Sequence, residues 1–390
     1  MHILIIPSEH LVTESEPLAG IFQYEQAQAL ANVGHKVGII SVGYITLRYF
    51  FKKYNYKEKE TVNNIFLLRK YKRIPIPHRY YSFNRLKRKY VSLFLKEFKE
   101  YVKAYGMPDI VHAHNFLYAG VIAKELKNKY SLPYVVTEHS SAFARGFISK
   151  KVNHKLFEVC NSSNGLTCVS KSFSALLQEV FSSPFNVLPN IVDSSFFEVE
   201  LNNDKYNNFT FLNIASLDSN KNQKLLLNAF AKKFEGQEVY LKIVGDGPLI
   251  TQLINETKNL KINSQVEFLG RLPKHEVRNQ MLKSHCFVLP SNYETFGVVL
   301  IEALASGLPL IATKCGGPED IVNEGNGVLV DNENLQQLSK AMQKMVQDFY
   351  DNGLQEFKPE TLRHEALEKY GEQAFVKNAM SYYKLAIETN

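Results

Sequence analysis

The sequence predicts an α/β protein of two domains, each built on an open parallel sheet that is doubly wound by helices. The first observation is length, because 390 residues exceed what one ordinary hydrophobic core accommodates. The second is the alternation of short apolar runs with longer amphipathic segments, which is typical of parallel sheets with covering helices. The third is a polar, irregular stretch at 189–204, a hinge or linker after which a second series of strands begins.

Each predicted strand is a short apolar run, rich in β-branched or aromatic residues and bounded by turn residues. In the first half, the predicted strands are 2–7, 36–42, 65–69, 110–113, 134–137, 165–169 and 186–188. In the second half, they are 209–215, 239–244, 266–269, 286–289, 310–312 and 327–330. The last helices are predicted at 359–388, where apolar residues recur at helical spacing.

Two carboxylates, Glu294 and Glu302, flank the predicted start of a helix that follows the strand 286–289. Asn292 and Thr295 are the candidate caps of this helix. We expect Glu302 roughly two turns inside it, with the two carboxylates about 8 to 12 Å apart. Backbone N–H groups at a helix start bind phosphate, and carboxylates accept hydrogen bonds from sugar hydroxyls. The spacing therefore favours a ligand in the order sugar, diphosphate, ribose.

Composition excludes several classes of protein. An apolar fraction of 45% excludes disorder, and the most apolar run, 296–313, is too interrupted to span a membrane. The four cysteines form no C-x-x-C pair, which favours a reduced compartment. The first residues, MHILIIPSEH, lack the basic region of a signal peptide. We therefore expect a cytoplasmic location.

Positive charge is concentrated from Tyr44 to Lys103. This segment holds 17 Lys and Arg against 4 Glu and no Asp, whereas the whole chain has a net charge of +7. Basic residues alternate with aromatic ones, which suits attachment to the anionic inner face of the cytoplasmic membrane, with about 1 kcal/mol for each basic residue near the surface. A solvated helix face is the alternative. Nucleic acid is not expected as a partner, because no nucleic-acid-binding motif accompanies the charge.

Ordered sequence blocks extend the evidence beyond the glutamate pair. The blocks are AGIFQYEQAQALANVGHKV (19–37), PDIVHAHN (108–115), VVTEHS (135–140), VLPNIVD (187–193), IVGDGP (243–248), VEFLGRL (266–272) and CGGPEDIV (315–322). Together with the glutamate pair they cover nearly the whole chain. The chain closely resembles the retaining glycosyltransferases of family 4 with the GT-B fold, whose signature is a Glu, seven residues and a second Glu.

The resemblance implies two Rossmann-like domains that face each other across a cleft, with the final helix crossing back to the first domain. We therefore expect an N-terminal, acceptor-side domain at 1–190 plus about 373–390, and a nucleotide-sugar-binding domain at 191–372. The implied reaction moves a hexose-type sugar from a UDP-, GDP- or ADP-sugar to an acceptor hydroxyl, with retention of configuration. The expected acceptor is a saccharide or a lipid-linked molecule, in bacterial surface polysaccharide or glycolipid biosynthesis. No Asp-x-Asp motif is present, so no obligatory metal is expected.

The resemblance also assigns roles to individual residues. Lys221, Glu294 and His139 are expected at the catalytic centre, where they meet the diphosphate, the sugar hydroxyls and the donor sugar, respectively. The expected donor-binding residues are Glu302, Gly20, Thr295, Phe296, Gly297, Gly245, Gly247, Arg271 and Leu272. The sequence departs from the family at Ser216, where most relatives carry an arginine. One cation is therefore missing, and Lys224 or Arg271 is the candidate substitute.

Purely structural explanations of these residues stay open. The glycines permit tight turns without any ligand, His139 is alternatively satisfied within its loop, and Lys221 is alternatively an exposed lysine. His112 and His114 alternate at a strand end and face one side, which raises a metal pair, although no third ligand is suitably spaced.

Two other classes of protein remain as alternatives. A GT-B epimerase or phosphorylase would share the fold, but an epimerase would consume donor without acceptor and a phosphorylase would need a cofactor-bearing lysine. A non-catalytic protein that binds sugar nucleotides is favoured only by Ser216.

Overall fold

The computed structural model describes residues 1–8, 20–46, 57–74, 82–148, 150–201 and 204–390. The chain divides into two compact units. Unit 1 comprises Met1–Ile191 and Phe375–Asn390, and unit 2 comprises Val192–Ala374. Each unit contains one sheet of mainly or wholly parallel strands with helices between them. The predicted α/β class, with two doubly wound sheets, is confirmed.

Unit 1 is built on an eight-stranded sheet with the order β3-β4-β2-β1-β5-β6-β7-β8. Its strands are β1 (His2–Ile6), β2 (Lys36–Thr46), β3 (Lys57–Val62), β4 (Ile65–Ile74), β5 (Ile110–His114), β6 (Tyr134–Glu138), β7 (Gly165–Cys168) and β8 (Asn186–Val187). Its helices are α1 (Ile21–Asn32), α2 (Phe83–Tyr105), α3 (Val121–Tyr130), α4 (Lys150–Ser162) and α5 (Lys171–Phe181). All pairings are parallel except that of β3 with β4.

Unit 2 is built on a six-stranded, wholly parallel sheet with the order β11-β10-β9-β12-β13-β14. Its strands are β9 (Thr210–Ile214), β10 (Tyr240–Val244), β11 (Val266–Gly270), β12 (Cys286–Leu289), β13 (Leu310–Lys314) and β14 (Gly327–Asp331). Its helices are α6 (Gln223–Phe234), α7 (Ile250–Asn259), α8 (Lys274–Lys283), α9 (Val298–Ala305), α10 (Pro318–Ile321), α11 (Leu335–Asn352) and α12 (Pro359–Tyr370). The final helix is α13 (Glu372–Glu388), and the division between the units falls inside it.

Every predicted strand is present, but β3 was not predicted. Its sequence, KEKETV, lacks the apolar residues that mark a buried strand. The strand lies at the edge of the sheet, where charged side chains are common because one side of an edge strand faces solvent. The turn to β4 contains Asn63 and Asn64 with φ of 50° and 65°, so the two asparagines were a usable hairpin signal.

Helix α2 separates the charged from the aromatic residues of the basic segment. Its buried face is formed by Leu86, Tyr90, Leu93, Phe94, Glu97, Phe98 and Tyr101. The aromatic residues Tyr90, Phe94, Phe98 and Tyr101 of α2 therefore belong to the core of unit 1, because helical periodicity turns them to one side. Residues 47–56 and 75–81 of the basic segment lie outside the described residues.

Helix α13 completes the core of unit 1. Phe375, Ala379, Tyr383 and Ala386 pack in one buried cluster with residues of α1 and the central strands, such as Ile3. The Tyr383 hydroxyl lies 2.7 Å from His112 Nδ1 on β5. The last helix is thus attached to the first half of the chain by apolar packing and by one buried hydrogen bond.

Replacement of Tyr383 by Phe should destabilise unit 1 by about 1 to 3 kcal/mol, because it leaves the buried His112 Nδ1 without a partner. Urea unfolding followed by circular dichroism measures this change. Tyr350→Phe is the matched control, since the side chain of Tyr350 is 60% exposed. Equal unfolding midpoints for the two variants would contradict the prediction.

Within the described residues, no helix combines the length and the apolar character needed to cross a membrane.

Candidate active site

The predicted catalytic residues of unit 2 lie at the point where the strand order of its sheet reverses. From β9 the chain proceeds to β10 and β11 on one side, and it returns to β12 on the other side. Lys221 lies between β9 and α6, and Glu294 lies between β12 and α9. In open parallel sheets, ligands bind at such a switch point, beyond the carboxyl ends of the strands.

Lys221 and Glu294 form an ion pair at this edge. Lys221 Nζ lies 2.6 Å from Glu294 Oε1, and the two side chains are 23% and 12% exposed. The buried Ser291 hydroxyl donates to the same carboxylate oxygen at 2.6 Å. Partial burial limits competition from water, so this pair is stronger than an ion pair on the open surface.

The loop that carries Lys221 is ordered by Asp218. Asp218 Oδ1 accepts hydrogen bonds from the backbone N–H groups of Asn220 at 2.9 Å and Lys221 at 3.3 Å. Its other oxygen accepts the Ser216 hydroxyl at 2.7 Å. The residue that replaces the family's arginine is therefore part of this turn, and it contributes no positive charge.

Asparagine side chains join this loop to the one that carries Glu294. Asn220 Nδ2 donates to the Tyr293 carbonyl at 3.0 Å, and Asn292 N donates to the Asn220 carbonyl at 2.7 Å. Asn222 Nδ2 donates to Asn292 Oδ1 at 3.0 Å. These bonds fix the relative position of two chain segments that follow different strands.

The backbone of Glu294 is bonded to the segment after β13. Glu294 N donates to the Cys315 carbonyl at 3.1 Å, and Gly317 N donates to the Glu294 carbonyl at 2.8 Å. A Cβ atom at Gly317 would collide with the backbone of Phe296. Burial raises the pKa of the Cys315 thiol to about 12, so this cysteine is a protonated packing residue at neutral pH.

Helix α9 begins later than the sequence predicted. Its N-cap is Gly297, in a left-handed conformation with φ of 98° and without a side-chain cap. The predicted caps Asn292 and Thr295 are therefore wrong, because the left-handed turn that starts the helix requires a glycine. Glu302 lies four residues after the first helical residue, Val298, which is a little more than one turn. The predicted two turns are also wrong.

The predicted donor-binding residues around α9 differ in exposure. Phe296 is buried, with its ring 5.9 Å from that of Tyr370, while Thr295, Gly297 and Glu302 are half-buried. The first N–H groups of a helix lack partners inside the helix. The start of α9 thus presents backbone donors beside the Lys221–Glu294 pair.

Gly245 and Gly247 pack against the backbone before Lys221. A Cβ atom at Gly245 would collide with the Ala215 carbonyl, and one at Gly247 would collide with Leu217. The lack of a side chain at both positions thus permits the close approach of two loops. Leu217 N donates to the Asp246 carbonyl at 3.0 Å across this contact.

Arg271 and Leu272 follow β11 at the same edge of the sheet. Gly245 N donates to the Gly270 carbonyl at 2.8 Å, which connects this loop to the one after β10. Arg271 is exposed and Leu272 is half-buried, and Lys224 is exposed in the first turn of α6.

Gly20 and His139 belong to unit 1. Gly20 is buried and is the N-cap of α1, with φ of 67°. His139 follows β6, and its backbone N–H donates to Asn115 Oδ1 at 2.8 Å. His139 Nε2 lies 2.9 Å from His114 Nδ1. Burial lowers the pKa of His139 to about 3, so its imidazole is neutral at physiological pH.

The buried carboxyl of Glu138 shapes the loop that carries His139. It accepts backbone hydrogen bonds from Phe116 at 2.8 Å, Ser140 at 2.8 Å and His139 at 3.1 Å. Burial nevertheless raises the pKa of Glu138 to about 7.

The structure brings Lys221, Glu294 and the start of α9 together in unit 2. Sequence reasoning missed Ser291, Asp218 and Asn220, which hold the ion pair. The serine and asparagines beside the Glu motif were the available signal, because short polar side chains favour turns. Among the residues that the structure describes, no group of three or more His, Cys, Asp or Glu side chains is arranged to hold a metal ion.

Two family models match the chain, one on each half. Residues 19–196 match "Glycosyltransferase Family 4", and residues 195–359 match "Glycosyl transferases group 1". The fold and the two matches define a GT-B glycosyltransferase. The chain belongs to glycosyltransferase family 4.

Relatives and solved structures agree with this assignment. An uncharacterized glycosyltransferase of Methanocaldococcus jannaschii is 25% identical over 388 residues, which cover 93% of each chain. Sucrose-phosphate synthase from Thermosynechococcus elongatus has a TM-score of 0.78 at 18% identity, with 100% of each chain covered. HepE of Anabaena in complex with UDP has a TM-score of 0.73 at 16% identity, with 98% of this chain and 100% of the other covered.

Lys221→Ala and Glu294→Gln should each lower kcat/KM by about tenfold to hundredfold, since each removes a charge-assisted hydrogen bond. Steady-state assays with the active donor measure the loss, and melting temperatures check that the variants fold. Lys232→Ala is the control, because Lys232 is exposed near the other end of α6. Full activity of Lys221→Ala would contradict the assignment of this lysine.

Proposed function

We propose that the protein is a retaining glycosyltransferase that moves a hexose-type sugar from a nucleoside diphosphate donor to an acceptor hydroxyl. The observation that supports this most is the Lys221–Glu294 pair, with Nζ and Oε1 2.6 Å apart. It lies at the switch point of the unit 2 sheet, beside the start of α9. A cation, a carboxylate and helix N–H groups together match a sugar diphosphate.

Without donor, Lys221 and Glu294 neutralise each other. We propose that the donor diphosphate approaches Lys221 and the N–H groups of Thr295 to Gly297, while the sugar hydroxyls donate to Glu294. Ser291 keeps its bond to Glu294 Oε1, so the carboxylate stays oriented while Lys221 binds phosphate. Glu302 would hold the ribose. Donors fixed in place before reaction stabilise the negative charge that develops on the departing diphosphate.

Gly245, Gly247, Arg271 and Leu272 are proposed to contact the nucleotide from the loops after β10 and β11. Gly20 and His139 are proposed to contact the donor sugar. Position 216 is a serine where most relatives carry an arginine. Lys221 is the cation that pairs with Glu294. Lys224 and Arg271, both exposed, remain the proposed substitutes, and no metal is proposed as an obligatory cofactor.

The donor is proposed to be a UDP-, GDP- or ADP-sugar. The HepE structure contains UDP, which supports a nucleotide sugar and leaves the base open. A thermal-shift screen of the three donor classes tests this. The donor that binds should stabilise unit 2 by about 2.7 kcal/mol when it is present at 100 times its dissociation constant. NMR of the product should then show the anomeric configuration of the donor. Inversion, or the absence of binding and turnover with all three classes, would overturn the proposal.

The acceptor is proposed to be a saccharide or a lipid-linked molecule at a membrane, in surface polysaccharide or glycolipid biosynthesis. Support for the membrane comes from a basic stripe on α2. The stripe consists of Arg85, Arg88, Lys96, Lys99 and Lys103, with Ser92 between them, and all six are exposed. They are spaced three or four residues apart, so they follow one line about 27 Å long on the helix. Such a line of charges fits a flat anionic surface.

Aliphatic side chains lie beside the basic stripe. Val91 and Leu95 line a groove with Lys87 and Lys129. A groove that combines cations and apolar atoms suits lipid headgroups, whose phosphates and first methylene groups lie close together.

A triple variant tests the basic stripe, with the changes Arg88→Glu, Lys96→Glu and Lys99→Glu. It should bind phosphatidylglycerol vesicles about 100-fold more weakly or worse, because each basic residue near the membrane contributes about 1 kcal/mol to binding. Co-sedimentation with vesicles measures the effect, and phosphatidylcholine vesicles give the background. The control carries the same changes at Lys258, Lys340 and Lys344, which are exposed on unit 2. Equal loss in both triple variants would contradict the role of the stripe.

A further inference from the structure

A buried side chain at the start of α6 spans the turn that carries Lys221. Gln223 is the first residue of α6, and it is 1% exposed. Its Nε2 donates to the Ser216 carbonyl at 3.0 Å, across seven positions in the chain. This hydrogen bond joins the beginning of the 216–222 turn to the residue that follows it, and Lys221 lies inside the turn.

The Ser216 carbonyl fixes the orientation of the Gln223 amide. A carbonyl oxygen only accepts hydrogen bonds, so the amide nitrogen must face it and the amide oxygen must face another direction. Gln223 Oε1 is buried and has no hydrogen-bond partner among the residues that the structure describes. The side chain therefore gives one donor to the turn and leaves its acceptor without a described partner.

Stability alone does not account for a glutamine at this position. A single hydrogen bond within a protein contributes little net free energy to folding, and a buried polar atom without a partner costs at least as much. A buried apolar side chain of the same size would avoid that cost. Residues that break such a local rule are expected at functional sites. The bond to Ser216 is therefore better explained by the position of the turn than by the stability of unit 2.

The other bonds of the turn do not replace this connection. Asp218 accepts from the backbone N–H groups of Asn220 and Lys221, so it orders the middle of the turn. Asn222 is the N-cap of α6, in a left-handed conformation with φ of 48°, and its side chain makes no cap bond. The Gln223 amide thus links the helix start to the beginning of the turn, which the cap residue does not.

We infer that Gln223 is a positioning residue for Lys221. Its bond to the Ser216 carbonyl keeps the turn closed, and the closed turn holds Lys221 Nζ 2.6 Å from Glu294 Oε1. This inference rests on the proposed function to the extent that Lys221 meets the diphosphate of the donor. The closure of the turn itself does not depend on turnover.

Gln223→Glu makes the hydrogen bond to Ser216 depend on pH. An ionised carboxyl has only acceptors to face the Ser216 carbonyl, whereas a protonated carboxyl donates from its O–H. Burial raises the pKa of a carboxyl, so the introduced group should become protonated above the usual value of about 4.3. Above its pKa, kcat/KM should be about tenfold lower than in the wild type, mainly through kcat. Below its pKa, the ratio of variant to wild type should return toward 1.

Gln223→Met and Gln252→Glu are the matched variants. Methionine has nearly the size of glutamine but no donor, so Gln223→Met should lower kcat/KM about tenfold at every pH. Gln252 is exposed and lines the same small cavity as Gln223, so a carboxyl there should leave kcat/KM unchanged. Wild-type kcat/KM for Gln223→Met, or a ratio for Gln223→Glu that does not change with pH, overturns the inference.

Hydrogen exchange, measured by NMR, tests the turn without turnover. In Gln223→Met, the backbone N–H groups of Asn220 and Lys221 should exchange about tenfold faster than in the wild type, because their bonds to Asp218 open with the turn. The N–H groups of α11 in the same unit should exchange at the wild-type rate. Unchanged exchange at both turn positions overturns the inference even if activity falls.

The exchange measurement also separates this inference from the proposed function. If the protein turns over no donor, the proposed function fails, and the exchange rates still show whether Gln223 closes the turn. Should Gln223→Glu not fold, Gln223→Met decides by its kcat/KM and by its exchange rates.

Discussion

The ion pair of Lys221 with Glu294 is the interaction on which the rest of the site depends. It joins the loops after β9 and β12, and its partners are 73 residues apart in the chain. Ser291 and the bonds between Asn220 and Asn292 hold both loops before any ligand arrives. The cost of ordering these charged side chains is therefore met during folding, which is what preorganised electrostatic catalysis requires.

Close backbone contact keeps the same edge rigid. Gly245 and Gly247 lie against the 215–217 segment, and Gly317 lies against Phe296, so no side chain separates the loops. Rigid loops suit a catalytic site, because fixed hydrogen-bond donors need no rearrangement when charge develops during a reaction. Gly245, Gly247 and Gly317 thus have a packing function.

The two units differ in how they treat charge. In unit 2, the side chains of Lys221 and Glu294 are partly exposed, and their opposite charges compensate each other. In unit 1, desolvation keeps His112, His114 and His139 neutral, and His112 is hydrogen-bonded to Thr137 and to Tyr383 on α13. A neutral imidazole forms directional hydrogen bonds and adds no charge, whereas Lys221 and Glu294 of unit 2 are charged.

The sequence by itself determined the strands, the α/β class and the family, because apolar periodicity and ordered motifs depend on near neighbours. It missed β3, whose charged sequence is stable as a strand only beside β4, and it placed the start of α9 before the left-handed Gly297. Only the tertiary structure decided that Ser291 and Asp218 support the ion pair, and that His114 contacts His139. The reason is physical: such contacts depend on which strands pair and in which register, and this information is spread over the whole sheet.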